Sequence, residues 1–152
     1  MRGAWLRWVL GWVGLLGVAA LVAVLPVFSA GDRWLYFAAA TLALTSIAHS
    51  VLGERFLLQP LLRRRDLPRI FGDDDFTRQV LRFAWHLLSI ALFGFAAVLL
   101  ALTGSGPTTT SISRIVSLTA ASCALVAGVT SRGRHLSWVA FAAVAVAAWI
   151  GP

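Results

Sequence analysis

Residues 78–103 read RQVLRFAWHLLSIALFGFAAVLLALT, and this run decides the fold. Beyond Arg82 it carries no formal charge up to Thr103, and His86 is its sole titratable side chain. A helix crosses the hydrocarbon core of a bilayer with ~20 mostly apolar residues. A soluble strand or core helix has no use for an apolar run of this length. The segment predicts a membrane-spanning helix.

The rest of the chain repeats the pattern. Apolar segments fall at Trp5–Phe28, Trp34–Gly53, Ile112–Thr130 and His135–Ile150. Of the 152 residues, 59% are hydrophobic and 12% charged, with a mean hydropathy of +0.84. Soluble domains carry about 25% charged residues, so this chain has too few to clothe a water-facing surface. The expectation is an all-α integral membrane protein, one domain over residues 1–152, forming a compact bundle of five transmembrane helices. The final segment is short, which leaves four spans as the fallback count. The apolar run Val9–Val27 exceeds the 7–15 residues of a signal-peptide core. Cleavage after Ala30 would put Phe28 where a small residue belongs, so a retained span is expected there.

Charge sets the orientation. The net charge of +7 comes from 13 basic residues, all arginine, against six acids. The arginines gather at the N-terminus, in the Glu54–Thr77 connection and in the SRGR turn at Ser131–Arg134. Basic residues beside span ends stay on the cytoplasmic side, which gives N-terminus in and C-terminus out. Arginine without lysine fits the codons of a GC-rich bacterium, and so a bacterial inner membrane. No basic stripe with interleaved aromatics appears, so nucleic acid is not an expected partner. Arg55, Arg63, Arg64, Arg65 and Arg69 are placed to meet anionic lipid headgroups. Within the same connection FLLQPLL, Phe56–Leu62, is too short to span. It is expected to extend the second span along the interface. Asp74 or Asp75 is expected to cap the third helix. Trp5, Trp8 and Trp12, with Trp34 and Tyr36, suit aromatic belts at the two interfaces. Small residues at Gly11, Gly14 and Gly17, and again at Ser117, Ala120, Ala121, Ala124 and Gly128, allow close helix contact in lipid.

Titratable residues inside a span are disfavoured by ~2.5–3.5 kcal/mol each on insertion scales, and so call for a reason. His49, His86 and His135 all fall in the cytoplasmic half under this topology. Thr41, Thr45, His49 and Gly53 recur every four residues, as do Arg78, Arg82 and His86, continuing towards Ser89. Two polar stripes on successive spans are expected to face each other or a shared cavity, with Ser50 among the nearby polar groups. Glu54 lies about 140° around a regular helix from His49, so it joins such a site only if the helix bends or ends near Gly53.

Three functions are compatible with this set. Two imidazoles at matched depth on two helices are the minimum for haem b. His49, His86, His135 and Glu54 offer the ligand types of a divalent metal or a proton site. Alternatively the histidines are satisfied by neighbours, and the protein acts as an accessory subunit or regulator through anionic lipid, a membrane-protein partner or a second copy. The last is the leading expectation, with no catalysis. No nucleophile or phosphate-loop motif is present, and the single cysteine, Cys123, reads as a small packing residue.

Two short patterns carry a resemblance. H-S-V-L-G-E-R at His49–Arg55 and R-F-A-W-H at Arg82–His86 look like small uncharacterised multi-pass membrane proteins of bacteria. The likeness covers the second and third spans with their connection, and it implies no activity, cofactor or catalytic residue.

Overall fold

The computed structural model describes residues 31–104 and 106–151. The expected first span, with Trp5, Trp8, Trp12 and the glycines at 11, 14 and 17, lies outside the described residues.

Four helical rods make up the described part. Helix α1 (Arg33–Gly53) runs without a break through a π-helical turn (Glu54–Leu58) into a last turn, α2 (Gln59–Leu62). Helices α3 (Asp75–Ala101), α4 (Thr109–Thr130) and α5 (Ser137–Ile150) follow, each packed against its predecessor. The first three rods are long and apolar enough to cross a membrane, and α5 is a shorter apolar helix. Their direction alternates. One end of the bundle therefore gathers the 63–74 connection and the 131–136 turn.

The π turn has a cause in the sequence. Pro60 has no N–H to give the Phe56 carbonyl, and its ring crowds that carbonyl. The ladder widens instead, so that the Gln59 N–H bonds to the Glu54 carbonyl five residues back. Such widened turns re-aim the side chains they contain. Leu58 and Leu62, one turn apart, are both buried and hold the extension against the bundle. The connection is accordingly shorter than the expected Glu54–Thr77, because helix occupies both of its ends.

At the start of α3 the backbone turns through Phe71 and Gly72, both at positive φ. The Ile70 N–H closes that turn on the Asp73 carbonyl at 2.9 Å. Asp74 occupies the N-cap position without capping through its side chain. The acceptor is Asp73, whose Oδ1 takes the Asp75 N–H at 3.1 Å. Asp74 is drawn away by Arg78, which grips its carboxylate with two donors.

Apart from Leu58, Leu62 and Phe83, the interior is built of small residues. Ala39, Ser46, Ser89, Ala96, Ser117, Ala120, Cys123, Ala127 and Ala145 are buried, while Ile47, Val51, Leu88, Phe95, Leu118, Leu125 and Val146 face outwards. Helices in lipid approach closely through small side chains and leave large apolar ones for the acyl chains. Gly94 illustrates it, since any Cβ there would overlap Thr119 of α4. Hydroxyls add direct links. Ser117 donates to the Ala145 carbonyl at 2.6 Å, and Ser113 donates to that of Ala148, joining α4 to α5.

Candidate functional site

The two quoted patterns meet across the α1–α3 contact, position by position. Ser46 donates to the Ser89 carbonyl at 2.7 Å, with both serines buried. Ser50 Oγ donates to Ser89 Oγ at 2.8 Å. His86 Nδ1 lies 2.9 Å from Ser50 Oγ, and His49 Nδ1 lies 3.0 Å from Ser89 Oγ. The His49 ring stacks on Trp85, centroids 4.2 Å apart and planes 6° from parallel. The Trp85 indole N–H in turn donates to the His49 carbonyl at 2.9 Å. Beneath that indole lies Gly53, where any Cβ would overlap the ring. Glycine at 53 is therefore what admits Trp85.

Glu54 enters the same cluster. It lies one regular helical turn after Ser50, its N–H bonded to the Ser50 carbonyl, and so shares the face that meets α3. There its Oε1 meets Arg82 Nη2 at 2.9 Å and its Oε2 approaches His86 Nε2 at 3.5 Å. Oε2 is buried and takes no hydrogen bond. The second approach is longer than a good charge-assisted bond.

Hydrogen bonds thus link His86, Ser50, Ser89 and His49 in a chain, and the Arg82–Glu54 ion pair stands at its His86 end across a 3.5 Å gap. Each serine hydroxyl has one proton to give and room to accept. With Ser50 donating to Ser89, Ser89 donates on to His49 Nδ1 and His86 Nδ1–H donates to Ser50. The reverse direction needs the other tautomer of both imidazoles as well as rotated hydroxyls. His49 Nδ1–H then donates to Ser89, Ser50 donates to His86 Nδ1, and His86 carries its proton on Nε2, facing Glu54. The helices thus hold both imidazoles by hydrogen bonds, as polar groups in lipid require.

Other expected members lie elsewhere. Thr41 turns its hydroxyl back to the Phe37 carbonyl of its own helix at 2.8 Å. Thr45 makes none of the α1–α3 bonds, whose register is set by Ser46, His49, Ser50 and Gly53. His135 packs its ring against Phe83 at 5.0 Å and Phe76 at 6.1 Å and bonds to Ser137 Oγ at 2.8 Å. Among the described residues, no three of His, Cys, Asp and Glu converge as metal ligands.

A basic recess adjoins the polar chain. A cavity of about 600 Å³ is lined by Gln59, Leu62, Arg63, Arg78, Gln79, Arg82 and Thr130. Of the five arginines expected at headgroups, Arg64 pairs with Asp66 at 2.6 Å. Arg55 lies over its neighbour Phe56, 5.6 Å from the ring centre. Arg55, Arg63, Arg65 and Arg69 have no carboxylate within salt-bridge distance among the described residues. The Arg64 and Arg78 hydrogen bonds hold the Asp66 and Asp74 carboxyls below the usual carboxylate range. The cavity had no signal in the sequence beyond the arginine count, because it forms where α2, the N-terminal turns of α3 and the last residue of α4 come together.

No protein-family model, curated protein or solved structure matches this chain. Function is therefore argued from the site alone.

Proposed function

We propose that this protein is a small multi-spanning protein of a bacterial inner membrane that works by association with anionic lipid, as an accessory subunit or regulator, without catalysis. With the N-terminal apolar segment it has five spans, N-terminus in and C-terminus out. Positive-inside bias supports that orientation. Among the described residues, Arg55, Arg63, Arg64, Arg65, Arg69, Arg78, Arg82, Arg132 and Arg134 belong to one end of the bundle, against Arg33 and Arg114 at the other.

The observation that carries this reading is the set of arginines left without carboxylate partners around the end of α2. Each arginine near an anionic membrane surface adds ~1 kcal/mol of attraction. The histidines, by contrast, are engaged in helix pairing. Phosphatidylglycerol added to the protein in neutral detergent is expected to raise its melting temperature. At a hundredfold excess over Kd the gain is about 2.7 kcal/mol. At roughly 2–4 °C per kcal/mol for a chain of this size, a rise of at least ~5 °C is expected. The shift should shrink when Arg63, Arg65 and Arg69 are replaced by Gln. An equal rise with phosphatidylcholine would overturn the reading.

A second reading, proton binding, is favoured by one observation: the buried, unpartnered Glu54 Oε2 facing His86 at the head of a reversible hydrogen-bond chain. It predicts that the purified protein takes up a proton on acidification that Glu54→Gln protein does not, as read by a pH dye in weakly buffered detergent. Equal uptake would remove it.

A further inference from the structure

We infer that the cavity between α2, α3 and the end of α4 is a stoichiometric site for the phosphodiester headgroup of an anionic membrane lipid. This deepens the lipid-association reading and rests on it. That reading needs only a diffuse basic collar, whereas this one assigns a single built pocket.

Three features carry it. First, three arginines, Arg63, Arg78 and Arg82, line it with two glutamine amides and a threonine. Arg78 and Arg82 are paired with carboxylates outside the lining, and Arg63 brings the uncompensated positive charge. Guanidinium forks match phosphate oxygens in geometry as well as charge. At about 600 Å³ the space falls within the range of ligand pockets, and it is roomy for a headgroup.

Second, two of the arginines are fixed from behind. Glu54 holds Arg82 through one nitrogen, Nη2. Asp74 holds Arg78 through Nε and Nη2, and the same Nη2 also donates to the Arg64 carbonyl at 2.8 Å. Nη1 of each takes part in none of these contacts. The Arg78–Arg64 bond and the bond from Thr77 to the Pro68 carbonyl at 2.8 Å tie the connection down beside the pocket. Arg63 thereby stands in the rim with no carboxylate of its own. A site held in place before binding loses less freedom on binding.

Third, its position suits a lipid better than a soluble ester. Leu62 is part of the wall, and Phe56 and Leu57, on the preceding turn, are half-exposed apolar residues on the same rod. The recess lies at the end of three apolar rods, where a lipid headgroup meets the membrane surface.

The test is lipid retention by the full chain, titrated in neutral detergent and counted by native mass spectrometry. The probes are dioleoyl phosphatidylglycerol, dioleoyl phosphatidylcholine and free glycerol phosphate. The expected result is saturable retention of one phosphatidylglycerol. Arg63→Gln should weaken it roughly tenfold, the loss of one charge-assisted contact. Gln59→Glu provides a second variant that leaves the fold intact, because residue 59 is exposed and one helical turn before Arg63. Its carboxylate neutralises Arg63, and a similar loss is expected. Arg65→Gln, outside the pocket, should change retention less than twofold. Equal losses in Arg63→Gln and Arg65→Gln, or retention that rises without saturating, would overturn the pocket while leaving the collar reading intact. Indifference between phosphatidylglycerol and phosphatidylcholine would overturn both. Displacement of the lipid by equimolar glycerol phosphate would overturn the lipid assignment in favour of a soluble phosphate ester.

Discussion

At the residue scale, Gly53 and Trp85 form the tightest dependence in the described bundle. The indole fills the space that any side chain at 53 would take, and it ties down the His49 carbonyl. Gly53→Ala should therefore force Trp85 off its partner. Overpacking of this kind is typically destabilising by about 1–3 kcal/mol. The expected readout is a lower melting temperature in detergent together with a shifted Trp fluorescence maximum. A stability equal to wild type would contradict the packing described here. Much of this contact was legible in the sequence: His49 and His86 at matched depth marked two facing stripes. The register was not. Thr41 and His49 share a helical face, but a threonine can satisfy itself on its own i−4 carbonyl, and Thr41 does so. The serines Ser46 and Ser50, one position round from the expected stripe, make the interhelical bonds. Small hydroxyls with an unspent donor win over those that bond backwards, and spacing alone does not tell them apart.

At the element scale, regular helical spacing from Ser50 decides where Glu54 points. A regular helix carries residue 54 away from the face of His49, so the sequence reading could admit Glu54 only through a bend or a helix end near Gly53. The helix instead continues regularly through Glu54, and the face that meets α3 includes Ser50, four residues earlier, so Glu54 reaches Arg82 and His86 without a bend. The signal was present in the sequence as the four-residue spacing of Ser50 and Glu54. The connection at the start of α3 makes a separate prediction about pH. Arg78 and Arg64 lower the carboxyl pKa values of Asp74 and Asp66 in the folded state. A depressed folded value stabilises the protein above the unfolded carboxylate pKa, about 3.9 for Asp. That contribution disappears as pH falls through the lower folded value. Melting temperature should therefore drop between about pH 4 and the lower folded values, and Asp74→Asn should be flatter over that window. Identical acid profiles for the two proteins would count against the Asp74–Arg78 pair as a source of stability.

At the scale of the whole molecule, the helical membrane class followed from composition and segment length, since few charged residues and long apolar runs leave one solvent for most of the chain. The described rods agree in their number of long apolar spans, in the brevity of α5 and in a small-residue interior with large apolar side chains outside. The basic recess was not legible, because it is made by three chain segments that sequence spacing does not relate. The proposed function divides by depth: an arginine-rich end proposed to hold anionic lipid, and a polar seam below it that joins α1 to α3. The most direct test is the lipid composition around the protein when it is cut from its native membrane in polymer nanodiscs. Phosphatidylglycerol or another anionic lipid should be enriched over the bulk membrane. Enrichment should be lost in the protein with Arg63, Arg65 and Arg69 changed to Gln, and kept in His49→Ala. No enrichment in the wild type, or its loss on changing His49 alone, would contradict the account.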